Sequence, residues 1–146
     1  MAISKNKQRI KACTSSNAPV AMVAGRKITF NSAILTYLEI KPEDIGRDST
    51  GENGVGLEVD SETSELLIYR APRSEASIVG GSFSSPETYC ADICKAILKV
   101  IGKELVNAGT VNFPAITKDV FEEDDSKVIV VDLKKVSANP GVFVEK

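Results

Sequence analysis

"GRKITFNSAILTYLEIKPEDI", residues Gly25 to Ile45, decides how this chain is built. Ile28 and Phe30 alternate with Lys27 and Thr29, the period-two pattern of a half-buried strand. Asn31 or Ser32 then offers a side-chain oxygen to the first free amides of a helix. Ile34, Leu35 and Leu38 fall on one face of that helix, Ile40 follows, and Pro42 forbids continuation. A helix of about two turns does not persist alone in water. Strands around it must hold it in place.

Working outward, "PVAMVAG" supplies a strand before the decisive stretch, with Gly25 at the bend between the two. After it, "GRDSTGENG" is a polar, glycine-rich loop. "VGLEVD" and "ELLIYRA", joined by "SETS", read as a hairpin. Val55, Leu57 and Val59 share one face; Leu66, Ile68 and Arg70 share another, with Leu67 and Tyr69 behind them. "PRSEAS" is a connector, and "IVGGSFS" reads as a strand bent at its glycine pair. The local pattern then predicts a longer helix. Ser85 caps it, Pro86 takes its first position, Glu87 favours its positive end, and Gly102 stops it. Tyr89, Ile93, Ile97, Val100 and Ile101 form its apolar stripe. "TVNFPAI" and "KVIVVDLKKV" read as strands around the acidic loop "FEEDDS", and "VFVE" near the end as a last edge strand.

Several of these residues carry a family resemblance. Gly25 and Arg26, the Ile28/Phe30 alternation, the helix closing on Leu38-Glu39-Ile40, the "KPEDI" turn with Asp44, and the hairpin over 55–70 resemble the swapped-hairpin domain of AbrB-type transition-state regulators and MazE-type antitoxins. The resemblance covers about residues 19–71. It implies that one such unit cannot close its own sheet, and that two copies interleave hairpins around a shared core. It also implies DNA binding. The chain departs from the pattern where Asn31 and Glu39 stand in place of the family's Pro and Gly, and the helix "NSAILTYLEI" carries no cation.

The expected architecture is therefore α+β: a small swapped-hairpin-like β-barrel or sandwich with one short and one longer helix. Residues 1–18 read as a basic flexible arm, 19–73 as a strand–strand–helix–hairpin half, and 74–146 as a strand–helix–strand–strand half forming one unit with the first. The similar order of elements admits an internal pseudo-repeat; a plain α+β fold without symmetry is the alternative.

Charge is distributed in blocks. Residues 1–40 hold six Lys or Arg against one Glu, and residues 41–90 hold four against ten acids. A net charge of −2 excludes a polycation that coats nucleic acid indiscriminately, and the basic third reads either as an interaction surface or as a lysine-rich terminal tail that keeps the chain in solution. Three cysteines, Cys13, Cys90 and Cys94, make no disulfide framework and suit a reducing cytoplasm. No apolar run reaches the roughly 18 residues of a membrane helix, and "MAISKNKQRIKACTSS" lacks the apolar core of a secretory signal.

Catalytic chemistry is sparse. The chain has no histidine, which removes imidazole acid–base and His-ligated zinc. Cys90 and Cys94, at helical spacing beside the apolar stripe, read as core thiols. Glu122 to Asp125 read as a solvated acidic turn rather than a cation loop. No glycine-rich stretch is followed by the Lys-Ser/Thr of a phosphate loop. The expectation is a small non-enzymatic regulatory protein without cofactor or metal, cytoplasmic, either single-chain or homodimeric. It binds double-stranded DNA through phosphate contacts from Lys5, Lys7, Arg9, Lys11, Arg26 and Lys27, with base readout unassigned. The alternative is a protein-interaction module or inhibitor, of the kind a phage or mobile element encodes, docking a basic partner through its acidic middle segment.

Overall fold

The computed structural model describes residues 8–9, 19–46, 50–73, 80–82, 85–105 and 109–138. Among these the order is β1 (Gln8–Arg9), β2 (Val20–Val23), β3 (Lys27–Phe30), α1 (Ser32–Tyr37), a single 3₁₀ turn (Pro42–Asp44), β4 (Asn53–Asp60), β5 (Glu65–Pro72), β6 (Gly80–Ser82), β7 (Ser85–Tyr89), α2 (Ala91–Ile101), β8 (Thr110–Phe113), β9 (Ile116–Val120), β10 (Lys127–Asp132) and β11 (Ser137–Ala138). The class is α+β with one short and one longer helix, as the sequence implies. The strands form two antiparallel sheets that face each other without closing into a barrel. Sheet I runs β11-β8-β2-β3-β7-β6 and sheet II runs β1-β9-β10-β5-β4.

The decisive stretch folds largely as its pattern dictates. β2 and β3 form a hairpin through Ala24 and Gly25, both in the left-handed region at φ 55° and 63°. A Cβ on Gly25 would sit 2.9 Å from Leu105 Cδ1, the tip of a side chain that can shift, so it is the left-handed φ that favours glycine at this turn. Asn31 caps α1, its side chain accepting the Ala33 amide at 2.9 Å. α1 has only six residues, and Ile34, Leu35 and Leu38 are buried beneath it. Glu39, where the resembled family has glycine, adopts φ 61°. Asp44 then ties the following loop together. Its carboxylate, 2% exposed, accepts the amides of Lys41 at 2.9 Å and Asn53 at 3.2 Å. The turn is thereby stapled to the start of β4.

The main core lies between the two sheets. Sheet I contributes Val20, Met22, Ile28, Phe30, Val111 and Phe113; the helices contribute Ile34, Leu35, Leu38, Cys94 and Ile97; sheet II contributes Val55, Leu66, Ile68, Ile116, Ile129 and Val131. Sheet II is apolar on its other face too, where Leu67, Val128, Val130 and Phe121 gather with Tyr69. The Tyr69 and Phe121 rings meet edge to face at 5.5 Å, and Tyr69 lies over Gly56, where no Cβ intrudes. This explains why "VIVV" at 128–131 is a continuous apolar run rather than an alternating one: β10 is a central strand buried on both faces.

Two boundaries differ from the sequence reading: "TVNFPAI" divides at Pro114 between β8 in sheet I and β9 in sheet II, and the longer helix starts later. Ser85, Pro86, Glu87 and Tyr89 belong to strand β7, and α2 starts at Ala91 with Cys90 at its N-cap. A Ser-Pro-Glu start signature is local, and here pairing with β3 and β6 overrides it: Thr88 lies opposite Ile28, and Pro86 opposite Gly81. Tyr89 consequently points away from the apolar stripe and is 71% exposed. Gly102 does end the helix, at φ 68°. The expected edge strand at "VFVE" lies outside the described residues.

Each sheet takes strands from both halves of the chain. In sheet I the β2–β3 hairpin joins the β6–β7 hairpin through β3 and β7; in sheet II the β4–β5 hairpin joins the β9–β10 hairpin through β5 and β10. The second strand of one hairpin meets the second strand of the other in both cases.

Candidate nucleic-acid interface

Of the six cations expected from the sequence, the described ones, Arg9, Arg26 and Lys27, fall in two places. Arg26 and Lys27 are adjacent at the β2–β3 corner, where the Arg26 amide closes the turn on the Val23 carbonyl at 3.1 Å and leaves Arg26 exposed. Lys27 is engaged: its Nζ lies 2.7 Å from Glu87 Oε2 and 5.8 Å from the centre of the Tyr89 ring. The hydrogen bond to Glu87 raises the Lys27 pKa against the opposing effect of burial. Its charge is thus already matched across the β3–β7 pair. Arg9 belongs to β1, opposite Thr117 at the edge of sheet II, a different sheet from Arg26. Lys5, Lys7 and Lys11 lie outside the described residues.

A second group of lysines holds α1 down. Tyr37, the last residue of α1, donates its hydroxyl to the Asp119 carbonyl at 3.0 Å. Lys118 and Lys127 place their Nζ atoms 5.0 and 5.3 Å from the centre of its ring, and Lys127 reaches Glu39 at 4.0 Å. Burial, then the nearby Asp119 charge, pushes the Tyr37 phenol above its ordinary value, so it stays a neutral donor. These contacts fasten a helix too short to stand alone.

The third group was not singled out from the sequence. Lys95, Leu98, Lys99, Lys103, Glu104 and Leu105 line a cleft of about 530 Å³ at the C-terminal end of α2. A smaller depression of about 180 Å³ shares Lys103 with it and adds Lys134 and Ser64. Lys95, Lys99, Lys103 and Lys134 are all exposed. The signal was present in "CKAILKVIGK", whose first two lysines stand four residues apart.

The remaining chemical groups have structural surroundings. Cys94 is fully buried, and Cys90 donates its thiol to the Thr88 carbonyl at 3.3 Å. Hydrogen bonding with Cys94, then burial, pushes the Cys90 thiol well above its ordinary value, away from a reactive thiolate. In the acidic turn, Asp124 accepts the Ser126 amide at 3.0 Å and the Phe121 amide closes on Ser126 at 2.8 Å. No group of three or more His, Cys, Asp or Glu side chains suited to a metal gathers among the described residues. No helix among them is long and apolar enough to cross a membrane.

No family model matches the chain, and neither a curated protein nor a solved structure matches it.

Proposed function

We propose that this protein binds double-stranded DNA as a small regulatory protein, using its two halves as swapped-hairpin regulators use two chains. One observation carries the reading. Each half carries a hairpin, a helix and a second hairpin, with β8 added between helix and hairpin in the second half, and the halves join through β3–β7 and β2–β8 in one sheet and β5–β10 and β1–β9 in the other. The helices sit alike: counted from the caps Asn31 and Cys90, the fourth and seventh residues are Leu35 and Leu38 in one half and Cys94 and Ile97 in the other, all four buried. A hairpin lent to the other half removes an edge that would otherwise stay open. The resemblance at Gly25 to Ile45 then supplies the DNA-binding class, and the basic N-terminal third supplies phosphate contacts from Lys5, Lys7, Arg9, Lys11 and Arg26, with Lys27 tempered by Glu87. Affinity for a duplex should fall steeply as salt rises, because each neutralised phosphate releases counterions. Absence of duplex binding at low salt rejects the reading.

A protein-interaction module is the second reading. The exposed Tyr89 beside Arg26 and a paired Lys27 favours it, since aromatic and arginine side chains anchor protein interfaces. Indifference to DNA, together with a loss of partner binding in Tyr89→Ala, would select it over the first.

A further inference from the structure

We infer that the lysine-lined cleft at the end of α2 is a phosphodiester-binding surface, a second contact to the duplex beyond the N-terminal cations. The inference rests on the DNA-binding reading above and adds a place where the strand lies. Lys95 and Lys99 share one helix face, displaced by about 6 Å along the axis, four steps of about 1.5 Å. The chain then reverses through a closed C-cap: the Gly102 amide donates to the Lys99 carbonyl at 3.3 Å, and the Lys103 amide to the Leu98 carbonyl at 3.1 Å. This fixes the backbone that brings Lys103 to the same cleft. Lys134, at the turn after β10, extends the row through the adjoining depression. Lys95, Lys99 and Lys103 line the larger depression with Glu104, and Lys134 lines the smaller one.

Cations near a helix C-terminus also answer the negative end of its dipole, an effect confined to about the last turn. That accounts for Lys99 and Lys103 but not for Lys95, a turn further back, or Lys134, on another element. An extended track of positive charge fits a rod of regularly repeated negative charge better than a compact acid.

The test measures affinity for a duplex of about 20 base pairs by fluorescence anisotropy between roughly 50 and 200 mM salt. Lys95→Gln/Lys99→Gln should flatten the logarithmic salt slope by about 2 and weaken binding on the order of tenfold or more. A triple variant, adding Lys134→Gln, should flatten it by about 3. Glu104→Gln should tighten binding. Thermal melting checks that each variant folds, and the double variant, on one exposed helix face, stands if the triple does not. If the native chain binds but the double variant keeps its affinity and slope, the cleft assignment is overturned while the DNA-binding reading survives. If the native chain binds no duplex at low salt, both fall. A cleft that takes poly-glutamate in preference to duplex also overturns it.

Discussion

At the scale of single residues, Asp44 shows how a charged group becomes a structural part. Burial would raise its carboxyl pKa, but the Lys41, Asn53 and Glu52 amides and the Asn53 side chain, all pointing at the carboxylate, hold it below its ordinary value. The ionised form is therefore preferred in the folded chain. The unfolded state binds the proton more readily, so the contribution is fully present above the unfolded value near 3.8 and is lost as pH falls through the lower folded value. Asp44→Ala leaves several amides unsatisfied and should cost about 1–3 kcal/mol, read as a lower urea midpoint at neutral pH. The difference between native and variant should shrink on acidification. The sequence marked Asp44 only through a family pattern. Its hydrogen-bond partners lie up to nine residues away across an irregular loop, which no periodicity reveals.

Among the elements, α1 is legible and α2 is half legible, for different reasons. α1 has its cap, its apolar face and its stop all within the decisive stretch, so local rules suffice. Its stability is not local, however. Leu35 is fully buried in the main core, and Leu35→Ala should cost about 2–5 kcal/mol, measured by denaturant unfolding. A peptide covering α1 alone should show no helical circular dichroism. For α2, Gly102 was readable because a left-handed cap favours glycine wherever it occurs. The start was not readable, because Ser85 to Tyr89 carry a helix signature and are claimed by sheet pairing sixty residues away along the chain. The Lys27–Glu87 contact crosses that same pair. It is a tertiary fact, and so the sequence offered Lys27 as a phosphate ligand without showing its partner. The α2 lysines were missed for the opposite reason: their spacing was visible, but the cleft that gives it meaning forms only when Gly102 turns the chain back.

For the whole molecule, both sheets are built from strands of both halves: β3 pairs with β7, and β5 with β10. Residues 1–73 expressed alone should lack cooperative unfolding or pair with themselves, and mixing them with residues 74–146 should restore a cooperative transition. Two halves that each melt independently would mean that the hairpins are not mutually required. The direct measurement on the central claim is the salt dependence of duplex binding by the native chain. Bound to about four or more phosphates, it should lose affinity with a logarithmic slope of roughly −4 or steeper. A flat response across the same salt range would contradict the account.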